Sequence, residues 1–374
     1  MKLKVAIIMP LAEQKGGGEK RLWDLMLEGR NYGIEWLLIF QEDGPLATQI
    51  HQLGVDVRVV PCGRLSRPHH FISALVKILA LVRNERPDII LSWMWKAHFY
   101  GSPVALINGI PCLWSQLEVP DDLLLKRIAA LLPASGVFIN SKSGRATLEK
   151  LCPRQPIKLV YPGVSLNQFN CSTLPPPSEA RRKLGLPLED PIIGIVGRLQ
   201  RWKGMHVLVE AISQVRERYP DIHCLIVGGK HNLEPNYASY LEEKITLLEL
   251  ENQVILADHQ ENIPEWMQAM DIFVHASDNE PFGIVIVEAM ALGKPVVATD
   301  TGGPTDIISD RVNGLLTPYG NSEKLVNAIL RYLDEPEFAN SISLAAKKRA
   351  ENFSTQHYVD NFIGGIFDFI SKVS

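Results

Sequence analysis

The sequence predicts an α/β chain made of two Rossmann-like, doubly wound domains facing a central cleft. Three observations carry that expectation. Short apolar runs alternate with helical patterns from end to end. The runs are continuous in Val and Ile, as in parallel strands buried on both faces. Near the middle, Asn170-Cys171-Ser172-Thr173-Leu174-Pro175-Pro176-Pro177-Ser178 loses apolar periodicity and carries three consecutive prolines, which favour an extended linker. A length of 374 residues suits two domains of ordinary size.

In order along the chain, Val5–Met9 comes first. With its flanks Met1–Lys4 and Pro10 it is too short for a signal peptide and lacks a cleavage site, so it reads as a strand. Further strands are expected at Trp36–Phe40, Val57–Val60, Ile89–Leu91, Cys112–Trp114, Val137–Ile139 and Lys158–Val160, with helices such as Glu19–Arg30, Phe71–Arg86 and Leu123–Leu132 between them. The second half repeats the habit at Ile192–Val196, Cys224–Val227, Val254–Leu256, Ile272–Val274 and Val296–Ala298, with a helix at Met205–Arg218. His357–Val373 spaces Tyr358, Phe362, Ile366, Phe369 and Ile370 as a helix does. The expected domains are 1–172 and 173–354, with 355–374 packing back on the first. Ligands of such sheets bind at the carboxyl ends of the strands.

Composition narrows the function classes. Apolar residues at 46% and charged residues at 21% describe an ordinary globular chain. No apolar run approaches the roughly 18–20 residues that cross a bilayer. Cys62, Cys112, Cys152, Cys171 and Cys224 form no CxxC pair and no metal-finger spacing, and an odd, scattered set of thiols points to a reducing cytoplasm. The net charge of −4 hides an asymmetry: residues 1–172 carry +6 and residues 173–374 carry −10. A basic half is a surface for something anionic, although two unrelated solvated domains also satisfy the count. A nucleic-acid partner is not expected; a peripheral contact at the inner face of a membrane is the second of two readings for one segment. It would use Pro120–Leu132, with leucines down and Lys126-Arg127 at the headgroups, against the repulsion of Asp121 and Asp122. The first reading of that segment, favoured by those two aspartates, is an amphipathic helix packed on its own sheet.

Three segments can carry chemistry. Gly16-Gly17-Gly18-Glu19 precedes a helix, so Gly17 and Gly18 let a ligand approach unpaired backbone N–H groups, although GxGxxG is absent. Gly197-Arg198-Leu199-Gln200-Arg201-Trp202-Lys203-Gly204 places Arg198 at a strand's end and Lys203 at the next helix's entrance. A guanidinium and an ammonium there can neutralise a departing diphosphate without a metal. Third, Glu280 and Glu288 stand eight apart in Ser277–Pro295. Fully helical spacing would separate them by about 12 Å, beyond the roughly 5–9.5 Å of hydrolytic carboxylate pairs. Pro281 and Gly283 put Glu280 in a loop and Glu288 inside the following helix. Two contacts on one long ligand fit better, with Glu288 accepting from vicinal hydroxyls such as a ribose.

Glu280…Glu288 resembles the Glu-x7-Glu signature of the family 4 retaining glycosyltransferases, of GT-B fold. Gly197-Arg198…Lys203-Gly204, Gly16-Gly17-Gly18-Glu19, Tyr161-Pro162-Gly163-Val164…Phe169 and Gly293-Lys294-Pro295-Val296…Gly302-Gly303 stand in the order that family shows, across essentially the whole chain. The resemblance implies transfer of a sugar from a UDP-, GDP- or ADP-linked donor to a glycan, lipid-linked or small-molecule acceptor, with retention and on one face of the sugar. It implies that Arg198 and Lys203 hold the donor diphosphate, Glu280 the sugar hydroxyls and Glu288 the ribose. Ile284 and Val285, after Phe282-Gly283, would offer backbone N–H groups to the phosphates. No cofactor and no metal are expected, and the chain has no Asp-x-Asp motif.

One position departs from the pattern. Family members commonly carry a histidine after the strand corresponding to Cys112–Trp114, facing the donor sugar. Here Trp114-Ser115-Gln116-Leu117-Glu118 puts Leu117 there, which predicts a donor lacking a C6 hydroxyl unless Gln116 or Glu118 supplies the contact. His98, Lys96, Gln116 and Glu118 are the acceptor-side candidates, with Trp93 and Trp95 as stacking surfaces or core. Two alternatives stay open: a nucleotide-sugar-binding protein with little catalysis, acting with a partner, and a nucleotide-sugar epimerase.

Overall fold

A computed structural model describes residues 2–13, 16–63, 67–117 and 124–372. The chain divides into two compact units, 1–163 with 355–374, and 164–354.

The first unit runs β1 (Leu3–Met9), α1 (Gly17–Glu28), β2 (Ile34–Phe40), α2 (Pro45–Gln52), β3 (Asp56–Val59), α3 (Pro68–Glu85) and β4 (Ile89–Trp93). It continues with α4 (Met94–Asn108), β5 (Cys112–Gln116), α5 (Leu124–Leu131), β6 (Gly136–Ile139), α6 (Lys142–Leu151) and β7 (Ile157–Leu159). Its seven strands are ordered β3-β2-β1-β4-β5-β6-β7, and every pairing is parallel. Alternation along β1 sends Val5, Ile7 and Met9 to one face and Ala6 and Ile8 to the other. Both faces are covered, which is why these strands read as unbroken apolar runs.

The second unit holds α7 (Pro177–Leu184), β8 (Ile192–Val196), α8 (Met205–Val215), β9 (His223–Val227), α9 (Tyr237–Leu247), β10 (Val254–Leu256) and α10 (Ile263–Gln268). There follow β11 (Ile272–His275), α11 (Ile284–Ala291), β12 (Val296–Thr299), α12 (Pro304–Ile307), β13 (Leu315–Thr317), α13 (Ser322–Asp334) and α14 (Pro336–Ala350). The sheet order β10-β9-β8-β11-β12-β13 is again all parallel. In each unit the order reverses beside the first strand, and such a switch point opens a crevice at the strands' carboxyl ends.

Two details differ from the sequence-based expectation. The units part at Gly163–Val164, not at 172–173: Val164 bridges to Ser354 and donates its N–H to Phe353 O at 2.8 Å, and Phe169 is buried, so 164–172 folds with the second unit. The proline run does not mark a linker but leads into α7, with Pro177 in its first turn. The edge strand β13 was not expected; three residues ahead of Pro318 are too short to show a period.

The last helix, α15 (Thr355–Ile370), belongs to the first unit. Phe362 stacks on Phe138 with ring centroids 4.3 Å apart, and Phe369 meets the same ring edge-on. Gly136 and Gly365 permit this approach, since a Cβ at either would fall within 2.5 Å of a facing ring atom. No helix among the described residues is long and apolar enough to cross a membrane.

Candidate active site

In the second unit, the loops after β8, β11 and β12 converge. The chain leaves β8 through Gly197-Arg198 and makes a single 3-10 turn at Arg201–Lys203 before α8. Gly204 closes that turn at φ +74°, and a Cβ there would stand 2.0 Å from Ala276 O, so the turn lies directly on the end of β11. Lys203 Nζ thereby reaches Glu280 Oε2 at 2.5 Å, with Trp202 beside the ammonium, whose Nζ is 4.1 Å from the ring centroid. The Glu280 loop is held from below by Gly302-Gly303: Gly303 N–H donates to Glu280 O at 2.7 Å, and a Cβ on Gly303 would stand 2.1 Å from Phe282 Cα. The backbone then turns at Gly283 (φ +99°) into α11.

Glu280 is largely buried and accepts from both Lys203 and His275 Nε2, the latter at 3.3 Å. Burial by itself would raise its carboxyl, but the Lys203 charge and the His275 contact outweigh burial and hold it down at about 2. His275 was not expected. It ends β11 with the ring 3% exposed and Ser277 Oγ 3.1 Å from its Nε2. In sequence it reads as one more strand residue, and only the fold aims it at Glu280.

The other expected donor contacts fall on the loop after β8 and on α11. Ile284 and Val285 open α11, where their N–H groups precede the first intrahelical bond (Ile286 N–H to Gly283 O, 3.0 Å) and the Gly283 cap offers no side chain. Their positive end stands close to Glu280, because Glu280 Cγ would be 3.6 Å from a Cβ on Gly283. Phe282 is buried, its ring 5.7 Å from that of Phe353. Glu288 sits on α11 with 8% exposure. Arg198 is solvent-exposed, its Nη1 3.4 Å from His231 Nε2, so the structure unites Lys203 with Glu280 and leaves Arg198 on the loop above β8. No group of three or more His, Cys, Asp or Glu side chains among the described residues is arranged to hold a metal ion.

The first unit corrects several expectations. His98 does not line a surface: it is fully buried, stacked on Trp114 with ring planes 2° apart, and burial pushes its pKa down to about 4. Trp93 is core, donating its indole N–H to Gly18 O at 3.1 Å and packing near Phe362. Trp95 is half-buried, edge-on to Phe99. Lys96 is half-buried on α4. Gln116 is 1% exposed with neither amide atom partnered, an unusual state for a buried side chain. Glu118 lies outside the described residues.

At the start of α1, Gly17 is exposed and Gly18 is covered. A Cβ on Gly18 would stand 2.3 Å from Met94 Cε and 3.0 Å from Leu117 Cδ1, so Leu117 packs against the helix start with Met94. Glu19 folds back over the same turn, its Oε2 2.8 Å from where a Gly16 Cβ would be. The start of α1 therefore already carries a carboxylate of its own.

Comparison with known proteins bears on the family and the fold. The family described as glycosyl transferases group 1 matches residues 177–349, and Glycosyltransferase Family 4 matches residues 15–168. A D-inositol 3-phosphate glycosyltransferase from Thermobispora bispora is 30% identical over 343 residues, 83% of this chain and 79% of the relative. One from Corynebacterium urealyticum is 35% identical over 205 residues, 54% of this chain. That match spans about half, 48%, of the Corynebacterium protein's length. Anabaena HepE, solved with UDP, superposes with a TM-score of 0.86 at 26% identity, covering 98% of this chain and 100% of that one. A sucrose-phosphate synthase from Thermosynechococcus elongatus shares the fold at a TM-score of 0.81 and 22% identity, covering 100% of both chains. With two parallel, helix-covered sheets and a match over both halves, the chain belongs to the family 4 glycosyltransferases, of GT-B fold.

Proposed function

We propose that the chain transfers a sugar from a nucleotide sugar, UDP-linked, to a hydroxyl of a glycan, lipid-linked or small-molecule acceptor, with retention and without a metal. The observation that carries this reading is the Lys203–Glu280–His275 cluster beside the uncapped start of α11. In the ligand-free protein Lys203 and Glu280 neutralise each other. When a donor binds, its diphosphate takes Lys203 and the first-turn N–H groups of Ile284 and Val285. Glu280 is then left to accept from the sugar hydroxyls. Charge that builds on the departing diphosphate meets Lys203, Arg198 and the helix start, donors already in place before the bond breaks. Glu288, on the same helix, accepts from the ribose. UDP is favoured as the nucleotide because HepE, 27% identical, has been solved with UDP-glucose. A phosphorylated polyol is a natural acceptor to test, since that is the acceptor named for the Thermobispora relative. Buried Cys62, Cys112, Cys152 and Cys224, none in a disulfide, support a cytoplasmic setting.

Thermal unfolding with UDP-, GDP- and ADP-sugars, followed by hydrolysis and transfer assays with NMR of the anomeric proton, tests the reading. A UDP-sugar should raise the transition, and the product should keep the donor's anomeric configuration in the presence of EDTA. An unmoved transition with every nucleotide sugar removes the donor site. Binding without turnover over a wide acceptor panel would indicate a binding protein, and sugar inversion without acceptor an epimerase.

A further inference from the structure

The loop that follows β9 is fastened along its length to the loop that carries Arg198 and Lys203. β8 and β9 run parallel with Val196 beside Val227, and the pairing continues past their ends: Gly197 donates its N–H to Val227 O at 3.0 Å, and Leu199 donates to Gly229 O at 3.0 Å. A Cβ on Gly228 would stand 1.8 Å from Gly197 O, so only glycine lets the two loops run this close. Further on, Glu234 Oε2 accepts the N–H of Arg201 at 2.8 Å, at the start of the turn that presents Lys203. His231, half-buried, lies between these fastenings, with Arg198 Nη1 3.4 Å from its Nε2.

The imidazole of His231 faces two donors at once. Leu233 aims its backbone N–H at Nδ1, 3.3 Å away, and Arg198 aims a guanidinium N–H at Nε2. A neutral imidazole has one lone pair and one N–H, and neither a peptide N–H nor a guanidinium can accept. One of the two contacts must therefore set hydrogen against hydrogen, and both are long for hydrogen bonds. The ring is satisfied only if one donor leaves. Leu233 is two residues away on the same loop and stays. Arg198 is exposed, and it stands on an imidazole where Lys203 stands on a carboxylate. Once Arg198 turns away, Nδ1 accepts from Leu233, the proton sits on Nε2, and that N–H points to where the guanidinium was.

We infer that His231 is a second donor to the phosphates of the nucleotide sugar, released for that task by Arg198 itself. The inference rests on the transferase reading above, in which Arg198 meets the donor's diphosphate. In the ligand-free protein the ring parks the guanidinium. When a phosphate arrives, Arg198 moves onto it, and the Nε2–H of His231 follows as a further donor. A phosphate oxygen accepts from several donors at once, so it relieves a conflict that the two side chains cannot resolve between themselves. The loop after β9 thereby joins the donor site, although no sequence motif marks it, and it adds affinity for the phosphates rather than for the nucleoside.

Two substitutions separate this role from a purely structural one. His231→Asn keeps an acceptor near the position of Nδ1 for the Leu233 N–H and loses the reaching donor, whereas His231→Gln keeps a donor near the position of Nε2. Affinities for UDP and for uridine are measured on the full chain by NMR titration. His231→Asn should weaken UDP by about tenfold, the size of one lost hydrogen bond to a charged group, and leave uridine unchanged. His231→Gln should stay within about threefold of wild type for UDP. Long-range proton–nitrogen NMR of the His231 ring at pH 8 reads the tautomer directly. The Nε2–H form should dominate with UDP bound, and also without ligand in Arg198→Ala. UDP affinity unmoved by His231→Asn, an equal loss for uridine, a larger loss with His231→Gln than with His231→Asn, or an Nδ1–H ring in the UDP complex overturns the inference and leaves the transferase reading in place. Failure of UDP to bind the wild-type chain, or binding untouched by both Arg198→Ala and Lys203→Ala, removes the donor site itself and the role of His231 with it.

Discussion

Glu280 stays ionised because its neighbours outweigh its burial, and that balance is open to single substitutions. With Lys203→Met the desolvation remains while the largest opposing charge is gone, so the Glu280 carboxyl should rise from about 2 toward or past its ordinary 4.5. A carboxyl held low stabilises the fold above its ordinary value, and that stability is lost as pH falls toward about 2. In the variant the loss should begin at higher pH, moving the acid unfolding midpoint upward. Carbon-13 NMR of the side-chain carboxyls reads the titration directly, and an unmoved Glu280 resonance would break the link to Lys203. In catalysis, Arg198→Ala and Lys203→Ala should each remove about 2–4 kcal/mol of transition-state stabilisation, roughly 30- to 1,000-fold in kcat/KM. His98 behaves in the opposite way. Burial holds it near 4 against an ordinary 6.5, so the neutral ring stabilises the fold above about pH 6.5 and that contribution is lost as pH falls toward 4. His98→Phe keeps a ring against Trp114 and should flatten the acid limb of stability between those values without changing the KM of the acceptor. At this scale the sequence was legible where local punctuation fixes placement: Pro281 and Gly283 put Glu280 in a loop and Glu288 on the helix that follows. It was not legible where a role depends on which strand end lies beside which, as for His275.

Elements carry the site through the backbone more than through side chains. The Glu280 loop rests on Gly302-Gly303, and Gly303 has an ordinary φ of −60°, so its requirement for glycine is purely steric. Gly303→Ala drives a methyl into Phe282 backbone atoms, which cannot rotate away. It should cost more than about 2 kcal/mol and weaken UDP-sugar binding. Gly54→Ala is the control. Its φ of +84° strains any side chain but nothing lies within 4 Å, so the cost should be about 1–2 kcal/mol with no effect on the ligand. Chemical denaturation with and without UDP distinguishes the two, and equal ligand affinity in both variants would free the loop from its glycine floor. The strands were legible because burial on both faces leaves an unbroken Val/Ile run, as at β1 and β8. The apolar stripe of α5, where Leu124, Leu125, Ile128 and Leu131 are exposed, was legible as a period but not as a direction, because a periodic apolar face does not say which side of the helix is covered.

At the scale of the whole chain, two sheets of the same strand order, β3-β2-β1-β4-β5-β6 and β10-β9-β8-β11-β12-β13, serve surfaces of opposite charge. Counting 355–374 with the first unit leaves it at +5 and the second at −9. The sequence located the change of sign but placed the boundary nine residues late, because prolines interrupt periodicity wherever they fall, whereas the division follows Val164 pairing with Ser354. The cluster of Lys203, Glu280, His275 and the start of α11 lies wholly in the acidic second unit. A nucleotide bound at this cluster, as proposed, would be held by local donors against an unfavourable net charge. Binding should consequently tighten, or hold steady, as moderate salt screens the unit's net charge, until the direct Lys203 and Arg198 contacts are themselves screened. Hydrogen exchange then locates those donors. A saturating nucleotide stabilises whatever it binds by RT ln(1 + [L]/Kd), about 2.7 kcal/mol at a hundredfold excess over Kd. With UDP alone, the strongest slowing should fall in 197–204 and 277–288. Amides of β10 and β13, at the edges of the same sheet, should change least. Protection centred on α13 or α14 would place the nucleotide elsewhere in the unit and remove Lys203 and Glu280 from its site.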